Sequence, residues 1–249
     1  MYQKFSMIYD RVMCETPYDE WFEKLYALLR RQGKDGGHLC ELGCGTGEMT
    51  GRFADAGYVV TGIDLSPDML AQAVDKKRAG QEILYVNQDM VHFSLHKRAD
   101  VVLCICDSIN YLLEEEELLQ TFQCVRDNLA EDGLFVFDMK TEYCYSDILG
   151  DMVRVEDEDG YTVIWENCYN RDNKINEYML TMFLYQEDVR LYERYDERHC
   201  QRAYTREEIG SLLSRAGLVP QACYGADMGR EPGEREERIY FVANVQSRI

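Results

Sequence analysis

The sequence predicts an α/β fold: a doubly wound, mostly parallel seven-stranded sheet with helices on both faces and an inserted antiparallel sheet. Two patterns carry this prediction. Between residues 36 and 145, short apolar runs alternate with stretches of helical periodicity, which is typical of a parallel sheet covered on both faces. Between about Met152 and His199, apolar and aromatic residues alternate with polar ones, and RDNK and QED interrupt the runs. This second pattern indicates antiparallel strands.

The individual elements follow from local signals. Helix starts are expected at Thr16-Pro17, at Ser66-Pro67, at the acidic run Glu114 to Glu117 and at the capping box of Thr205 and Glu208. The seven strands of the main sheet are predicted at His38–Leu42, Tyr58–Ile63, Ile83–Val86, Asp100–Ile105, Gly133–Phe137, Val219–Tyr224 and Ile239–Val245.

We expect one domain over residues 1–249, because 46% apolar residues can build one large core and no linker composition interrupts the chain. Its parts are N-terminal helices over 1–35, the α/β core over 36–145 and 203–249, and the antiparallel insertion over 146–202.

Composition restricts the partners and the compartment. The formal net charge of −19 repels a phosphate backbone, so nucleic acid is an unfavourable partner. No apolar run approaches the roughly 20 residues that span a bilayer, and the start lacks the pattern of a signal peptide. Ten scattered cysteines without a CxxC pair are typical of reduced thiols. We therefore expect a soluble, cytoplasmic protein without a membrane partner, and we leave a homodimer open.

The segment LCELGCGTGEMT starts as an apolar strand, turns at Gly43, Gly45 and Gly47, and continues as a helix. Glycines at such a turn let the backbone approach a ligand closely. The dinucleotide fingerprint GxGxxG would need glycine at position 48, where this chain has Glu48. A carboxylate there would repel a pyrophosphate but not an ammonium or a sulfonium. The turn therefore favours S-adenosylmethionine over a dinucleotide.

Two acidic strand ends extend this interpretation. Asp64 ends the second strand, where a carboxylate can accept hydrogen bonds from both ribose hydroxyls. Asp89 ends the third strand, where it could accept from an adenine amino group while the Met90 backbone donates to the ring. A glycine-rich turn followed in order by two acidic strand ends indicates this cofactor much more specifically than any one of the three features alone.

The motifs ELGCGTG, GIDLSPDML, QDM and CDSINYL resemble those of the class I, Rossmann-like S-adenosylmethionine-dependent methyltransferases. FSMIYD and the long meander resemble the small-molecule subgroup that contains aminosugar N-methyltransferases. The resemblance implies that the glycines line the methionine portion, that Leu65 and Met90 sandwich the adenine, and that Cys106 lies beneath the methionine. The full set that it implies for cofactor binding is Tyr9, Glu41, Gly43, Cys44, Gly45, Gly47, Asp64, Leu65, Met69, Gln88, Asp89, Met90, Cys106 and Asp107.

Three residues are candidates for the catalytic side: Tyr9, Tyr111 and His199. The resemblance implies that Tyr9 folds over the sulfonium and that Tyr111 lies near the acceptor, while His199 is the natural proton acceptor. Each also has a credible packing role, and these alternatives stay open here. Cys104 and Cys106 alone are too few ligands for zinc, so we predict no metal site.

The expected function is transfer of a methyl group to nitrogen or oxygen of a small molecule. The sequence after the fourth strand, CDSINY, lacks the Asn/Asp-Pro-Pro-aromatic motif of base amino-group methyltransferases. Two alternatives remain: a non-catalytic protein that binds S-adenosylmethionine, and an RNA or protein methyltransferase.

Overall fold

A computed structural model describes residues 4–245 of the chain, so residues 1–3 and 246–249 of the predicted domain lie outside the described part. The described strands are β1 Gly37–Leu42, β2 Tyr58–Asp64, β3 Ile83–Asn87, β4 Ala99–Cys104, β5 Leu129–Lys140, β6 Val153–Glu158, β7 Tyr161–Asn170, β8 Ile175–Gln186, β9 Leu191–Arg202, β10 Leu218–Tyr224 and β11 Arg238–Val245. They form a seven-stranded sheet of order β10-β11-β5-β4-β1-β2-β3 and a four-stranded sheet of order β6-β7-β8-β9. The predicted fold class is confirmed.

The helices are α1 Tyr9–Val12, α2 Tyr18–Arg31, α3 Glu48–Asp55, α4 Pro67–Lys76, α5 Glu115–Asn128 and α6 Arg206–Ala216. Short 3₁₀ turns at Phe5–Met7 and Ser108–Tyr111 and a π-helix at Cys144–Leu149 complete the helical structure of the described residues. The side chain of Ser66 caps α4, α5 begins within the acidic run and a capping box opens α6, as predicted, while the capping box of Glu114 and Glu117 that opens α5 is an additional finding. The expected start at Thr16 was wrong by one residue, because Pro17 itself occupies the N-cap of α2 and no side chain caps it.

The main sheet is parallel except at one strand. β1 pairs in parallel with both β2 and β4, whereas β11 runs antiparallel to β5 and to β10. The chain order reverses at β1, and in open α/β sheets a ligand binds at the carboxyl ends of the strands beside such a reversal. β5 starts four residues before the predicted position because Leu129 pairs with Ala99 ahead of a register shift.

Helices bury both faces of this sheet. On one face, α5 and α6 pack against Phe135 and Phe137, and on the other, α2 and α3 pack against Leu134 and Val136. The alternation of these four residues along β5 places their side chains on opposite faces. The prediction of helices on both faces is therefore confirmed residue by residue in β5.

The four-stranded sheet packs on the N-terminal segment, defined here as residues 4–16. Phe5 and Ile8 of this segment lie in a buried apolar cluster with Tyr161, Val163 and Met182 of the accessory sheet. The N-terminal segment thus lies between the two sheets. No helix within residues 4–245 is both long enough and apolar enough to cross a membrane.

Candidate active site

A cavity of ≈ 450 Å³ lies at the carboxyl ends of the parallel strands. Four chain segments that follow β1 to β4 form its walls, and the N-terminal segment contributes one aromatic residue. Most of the residues predicted to bind the cofactor line it, namely Tyr9, Gly43, Gly45, Asp64, Leu65, Met69, Gln88, Asp89, Met90 and Cys106. The cavity lies at the sheet edge where the chain reversal at β1 places a ligand site.

The glycine-rich turn approaches the cavity with its backbone exposed. Gly45 has φ of +53°, and a Cβ atom added there would meet nothing within 4 Å. Its amide N–H donates to the Asp64 carboxylate over 2.8 Å. A left-handed backbone without a side chain, next to open space, leaves room for a ligand to contact the turn directly.

Asp64 connects the turn to the second strand. One carboxylate oxygen accepts from the Gly45 amide and the other accepts from the Ser66 amide, each over 2.8 Å. Burial raises the pKa of Asp64, and the backbone amides oppose that shift. Because a carboxylate has about four acceptor positions and the Leu65 amide also donates to it, one remains for a ligand hydroxyl. The carboxylate is thus held in place by the backbone and can still accept from a ribose.

The far end of the cavity combines an apolar surface with hydrogen-bonding groups. Leu65 is 60% exposed in the cavity wall, where its side chain can pack against the face of a ring. Asp89 accepts from the Val91 amide over 2.9 Å, and Gln88 exchanges hydrogen bonds with the Ser94 backbone, so both side chains are oriented. These residues fit the adenosine portion of S-adenosylmethionine.

Four predicted cofactor residues do not face this cavity: Glu41, Cys44, Gly47 and Asp107. Glu41 is buried under the turn and accepts from the Thr50 hydroxyl. Gly47 has φ of +79° and leaves the space that the Tyr85 hydroxyl occupies, 2.5 Å from where a Cβ would stand. Cys44 is buried, and its sulfur lies 3.0 Å from where a Cβ on Gly62 would stand. Glu41, Gly47 and Cys44 therefore support the glycine-rich turn from the side that does not face the cavity.

Asp107 turns away from the cofactor cavity into a buried cluster of charges. Its carboxylate accepts from Lys140 Nζ over 3.0 Å, from Arg238 over 2.6 Å and from the Gln201 amide over 2.8 Å. Arg238 also donates to Asp138 over 2.5 Å. We call Asp107, Asp138, Lys140 and Arg238 the charge cluster. It joins the ends of β4, β5 and β11.

The charge cluster also holds a strained turn. Cys106 and Asp107 have φ of 59° and 55°, a left-handed conformation that costs non-glycine residues roughly 1–3 kcal/mol each. Asp138 accepts from both of their amides, over 3.2 Å and 2.7 Å. Cys106 faces the cofactor cavity while Asp107 faces the charge cluster, so the turn separates the two sites.

The paired charges change the acidity of the cluster. Burial would raise the pKa of Asp107, but Lys140 and Arg238 hold it at about 2. Asp107 raises the pKa of Lys140 above its usual value despite the burial of the ammonium. Asp107 is therefore a carboxylate and Lys140 a cation at neutral pH. Asp138, Lys140 and Arg238 were missed from the sequence, where their only signal was that charged residues end the run FVFDMK and begin the run RIYFVANV.

The three catalytic candidates lie in two layers. Tyr9 and Tyr111 both line the cofactor cavity. His199 is 2% exposed and does not line it, and its ring meets the ring of Tyr111 edge-on with centroids 6.2 Å apart. The structure therefore brings Tyr9 and Tyr111 to one cavity and places His199 behind Tyr111.

His199 has an acidic neighbour that sequence reasoning missed. Its Nε2 lies 3.3 Å from one oxygen of Glu197, whose other oxygen accepts from the backbone amides of Lys4 and Phe5. Burial would raise the pKa of Glu197, but His199 and the two amides hold it at about 2. The spacing ERH on a strand, with both side chains on one face, is the signal that could have found this pair.

A second cavity of ≈ 200 Å³ lies under the accessory sheet. Its walls come from the N-terminal segment, the end of β5, the π-helix and the strands β6 to β8. Among its residues are Met13, Lys140, Leu149, Val163, Trp165 and Tyr178.

Comparison with known proteins agrees with this geometry. Residues 39–133 match a family model described as a methyltransferase domain. A candidate methyltransferase of Geobacillus sp. (strain WCH70) is 37% identical over 245 residues, which covers 97% of this chain and 98% of that protein. A dTDP-3-amino-3,6-dideoxy-alpha-D-glucopyranose N,N-dimethyltransferase of Streptomyces fradiae is 27% identical over 209 residues, which covers 83% and 79% of the two chains.

A solved structure gives the same result for the fold and the cofactor. The crystal structure of an S-adenosylmethionine-dependent methyltransferase from Clostridium acetobutylicum superposes with a TM-score of 0.86 at 26% identity and covers 99% of both chains. The fold and the cofactor of the family are therefore the ones that the cavity at the strand ends led us to expect. The chain belongs to the Rossmann-like S-adenosylmethionine-dependent methyltransferases.

Proposed function

We propose that the protein transfers the methyl group of S-adenosylmethionine to a nitrogen or oxygen atom of a small molecule. The observation that carries this proposal is the second cavity, which is lined in part by the same N-terminal segment as the cofactor cavity and is closed on one side by the accessory sheet. An acceptor bound there would lie next to the donor, as methyl transfer requires.

Two chain segments contribute neighbouring residues to both cavities. In the N-terminal segment, Tyr9 lines the cofactor cavity while Val12 and Met13 line the second one. At the end of β4, Cys106 lines the cofactor cavity, and its neighbour Asp107 binds Lys140, which lines the second. The N-terminal segment and the turn after β4 therefore contribute to both proposed sites.

The N-terminal segment is anchored to both sheets. Asp10 accepts from the Thr46 hydroxyl on the glycine-rich turn and from Lys76 of α4, each over 2.6 Å. At its other end, the Lys4 and Phe5 amides donate to Glu197 of the accessory sheet. These contacts support a role in positioning Tyr9 over the donor and in excluding water from the reacting atoms.

The cofactor supplies an electrophilic methyl group, so the protein mainly has to bring an acceptor lone pair into line with it. Positioning alone can contribute about 7–11 kcal/mol to lowering a barrier. We assign Tyr9 to electrostatic stabilisation next to the sulfonium. Tyr111 would contact the acceptor, and His199, oriented by Glu197, would take a proton through or beside Tyr111. The catalytic roles of all three residues remain predictions.

Charge and thiol chemistry support the choice of partner and compartment. The net charge of −19 opposes binding of a polyanion such as RNA or of an anionic membrane surface. All ten cysteines are free thiols, four of them buried, as expected in a reducing compartment. We therefore propose a small-molecule acceptor in the cytoplasm.

The test is to supply methyl-labelled S-adenosylmethionine together with a cell extract separated into small molecules, RNA and protein. We expect label in the small-molecule fraction, and none with the Asp64→Ala variant at a cofactor concentration near the wild-type dissociation constant. Label in RNA or protein would contradict the proposed acceptor class. Cofactor binding without transfer to any fraction would indicate a non-catalytic binding protein.

A further inference from the structure

The second cavity has a distinct chemical character. Its walls are mainly apolar and aromatic, with the Trp165 indole and the Tyr178 ring edge-on to each other at a centroid distance of 5.5 Å. Its volume of ≈ 200 Å³ is below the roughly 300 Å³ at which sites for drug-sized ligands begin. The walls therefore favour a compact, flat molecule.

Two polar residues of the wall already have their hydrogen bonds within the protein. Glu156 accepts from the Tyr161 hydroxyl over 2.6 Å and from Arg154 over 3.2 Å. The Asn167 amide donates to the Gly150 carbonyl and accepts from Asn176. Because these groups are already paired, neither supplies a strong site for a ligand. Arg154 also lines the wall, but it pairs with Glu156 and its side chain is 59% exposed, so water screens its charge.

Lys140 is different, because its ammonium group has a donor left. An ammonium has three N–H donors. Among the described residues, Nζ donates to Asp107 over 3.0 Å and to the Tyr178 hydroxyl over 3.4 Å, which uses two of them. The side chain keeps 23% of its surface accessible and lines the cavity. The third N–H can therefore reach a ligand.

The charge cluster keeps this ammonium cationic and in place. Asp107, its partner, is also bound by Arg238 and Gln201, so the carboxylate is shared and only partly offsets Lys140. The pKa of Lys140 stays above its usual value. A cation at the inner end of an aromatic cavity is a receptor for an anionic oxygen.

We infer that the second cavity binds a compact aromatic acceptor that carries an anionic oxygen, a carboxylate or a phenolate, and that Lys140 pairs with this oxygen. The inference rests on the proposed function, because it takes this cavity as the site of the methyl acceptor. It makes Lys140 a specificity-determining residue and Trp165 the surface on which the ring packs.

The same features oppose two other acceptor classes. A nucleotide-linked aminosugar is larger than the cavity, and its phosphates would meet a protein of net charge −19. A free ammonium group would be repelled by Lys140, while the Glu156 carboxylate that could attract it is already paired with Arg154. The prediction therefore separates this chain from its aminosugar-modifying relative.

The test compares three ligands of one shape, namely benzoate, benzamide and benzylamine. Each is titrated by calorimetry into the protein saturated with S-adenosylhomocysteine. We expect benzoate to bind at least about tenfold more tightly than benzamide, because the amide oxygen still accepts from Lys140 but carries no negative charge to pair with the ammonium. Benzylamine should bind most weakly. Benzoate binding no tighter than either of the other two would overturn the inference.

Variants identify the side chain responsible. Lys140→Met should remove the preference for benzoate, Lys140→Arg should retain it, and Lys97→Met, an exposed lysine away from the cavity, should leave it unchanged. Trp165→Leu should weaken benzoate and benzamide by the same factor. A preference for benzoate that persists in Lys140→Met would also overturn the inference. Should that variant not fold, the ligand series in the wild type and in Lys140→Arg still decides.

The two proposals fail in different ways. A benzoate preference that depends on Lys140, combined with no methyl transfer to any acceptor, would support this inference and contradict the proposed function. Methylation of an amine acceptor, combined with no benzoate preference, would support the proposed function and overturn this inference.

Discussion

Two regions of the molecule are built from contacts of different range. We call the strand ends around the cofactor cavity the cofactor edge, and the charge cluster with the second cavity the proposed acceptor side. At the cofactor edge, Asp64 binds Gly45 and Ser66, which lie 19 and 2 residues away. On the acceptor side, Asp107 binds Gln201 and Arg238, 94 and 131 residues away. A site of the first kind is encoded in short motifs, whereas one of the second kind exists only after the strands have paired.

The two regions also treat buried carboxylates differently. At the cofactor edge, Asp64 is held by backbone amides and Glu41 by one hydroxyl. On the acceptor side, Asp107 and Asp138 are held by Arg238, and Asp107 also by Lys140. The first region therefore depends on backbone geometry and the second on paired charges. Each prediction below tests one side of this difference.

The largest effect is expected for Asp138→Ala. This change leaves the buried Arg238 with one carboxylate fewer and removes the acceptor for the strained Cys106 and Asp107 amides. Breaking a buried pair by removing one partner typically costs about 3–5 kcal/mol. The free energy of unfolding, measured by urea denaturation, should fall by about that amount, while the exposed Asp132→Ala should change it little. A similar loss in both variants would contradict the role assigned to the charge cluster.

The next effect concerns turnover. His199→Ala should lower kcat about 10²-fold if His199 takes the acceptor proton, with Tyr9→Phe and Tyr111→Phe causing smaller losses. Affinity for S-adenosylhomocysteine should stay within about threefold, because His199 does not line the cofactor cavity. The exposed His92→Ala is the matched control. Rates near wild type in all three variants would place the active site elsewhere.

The fold could be predicted because strand and helix periodicities are local. The caps at Ser66 and at Thr205 with Glu208 were found because a cap needs only residues three positions apart. The start of β5 was missed because the pairing of Leu129 with Ala99 depends on a partner 30 residues away. Local signals therefore predicted which helices and strands form, whereas long-range strand pairing determined where β5 begins.

The same division applies to the site. The motifs gave the residues that line the cofactor cavity, but they could not separate Gly45, which faces it, from Gly47, which makes room for Tyr85. Asp107 was predicted at the cofactor because its position follows a strand end, yet Lys140 and Arg238 draw it to the other side of the turn. No pattern within one segment could have indicated these partners, which meet only in the folded sheet.

Asp64→Ala tests the cofactor edge and should have a smaller effect than the changes above. It removes a carboxylate that can accept from a ribose hydroxyl, and such a charge-assisted hydrogen bond is worth about 1.5–3 kcal/mol. The dissociation constant for S-adenosylmethionine, measured by calorimetry, should rise at least about tenfold. Asp75→Ala, an exposed change on α4, provides the comparison. An unchanged constant would remove Asp64 from the ribose site.

The smallest effect is expected from the protonation of Glu41. Near neutrality it should change the free energy of unfolding by about 1 kcal/mol for one pH unit. Burial, with a further contribution from Asp64, raises the pKa of Glu41 to about 8 although the Thr50 hydroxyl opposes the shift. In the unfolded chain a glutamate titrates near about 4.3. Between these values the folded state holds a proton that the unfolded state has released. The contribution of Glu41 to stability is therefore complete below about pH 4 and is lost as the pH rises to about 8.

Glu41→Gln keeps an acceptor for Thr50 and removes the ionisation, so the free energy of unfolding of the variant should fall less steeply than that of the wild type between about pH 6 and 8.

Asp107 shows the opposite behaviour: its pKa of about 2 lies below the unfolded value, so its contribution to stability is complete above about pH 4 and is lost as the pH falls towards 2. Urea denaturation across both ranges measures the two contributions separately. Parallel curves for Glu41→Gln and the wild type above pH 6 would mean that Glu41 is already ionised in the fold. The cofactor edge would then need a cation beside it, as the acceptor side does, and the contrast between the two regions would be lost.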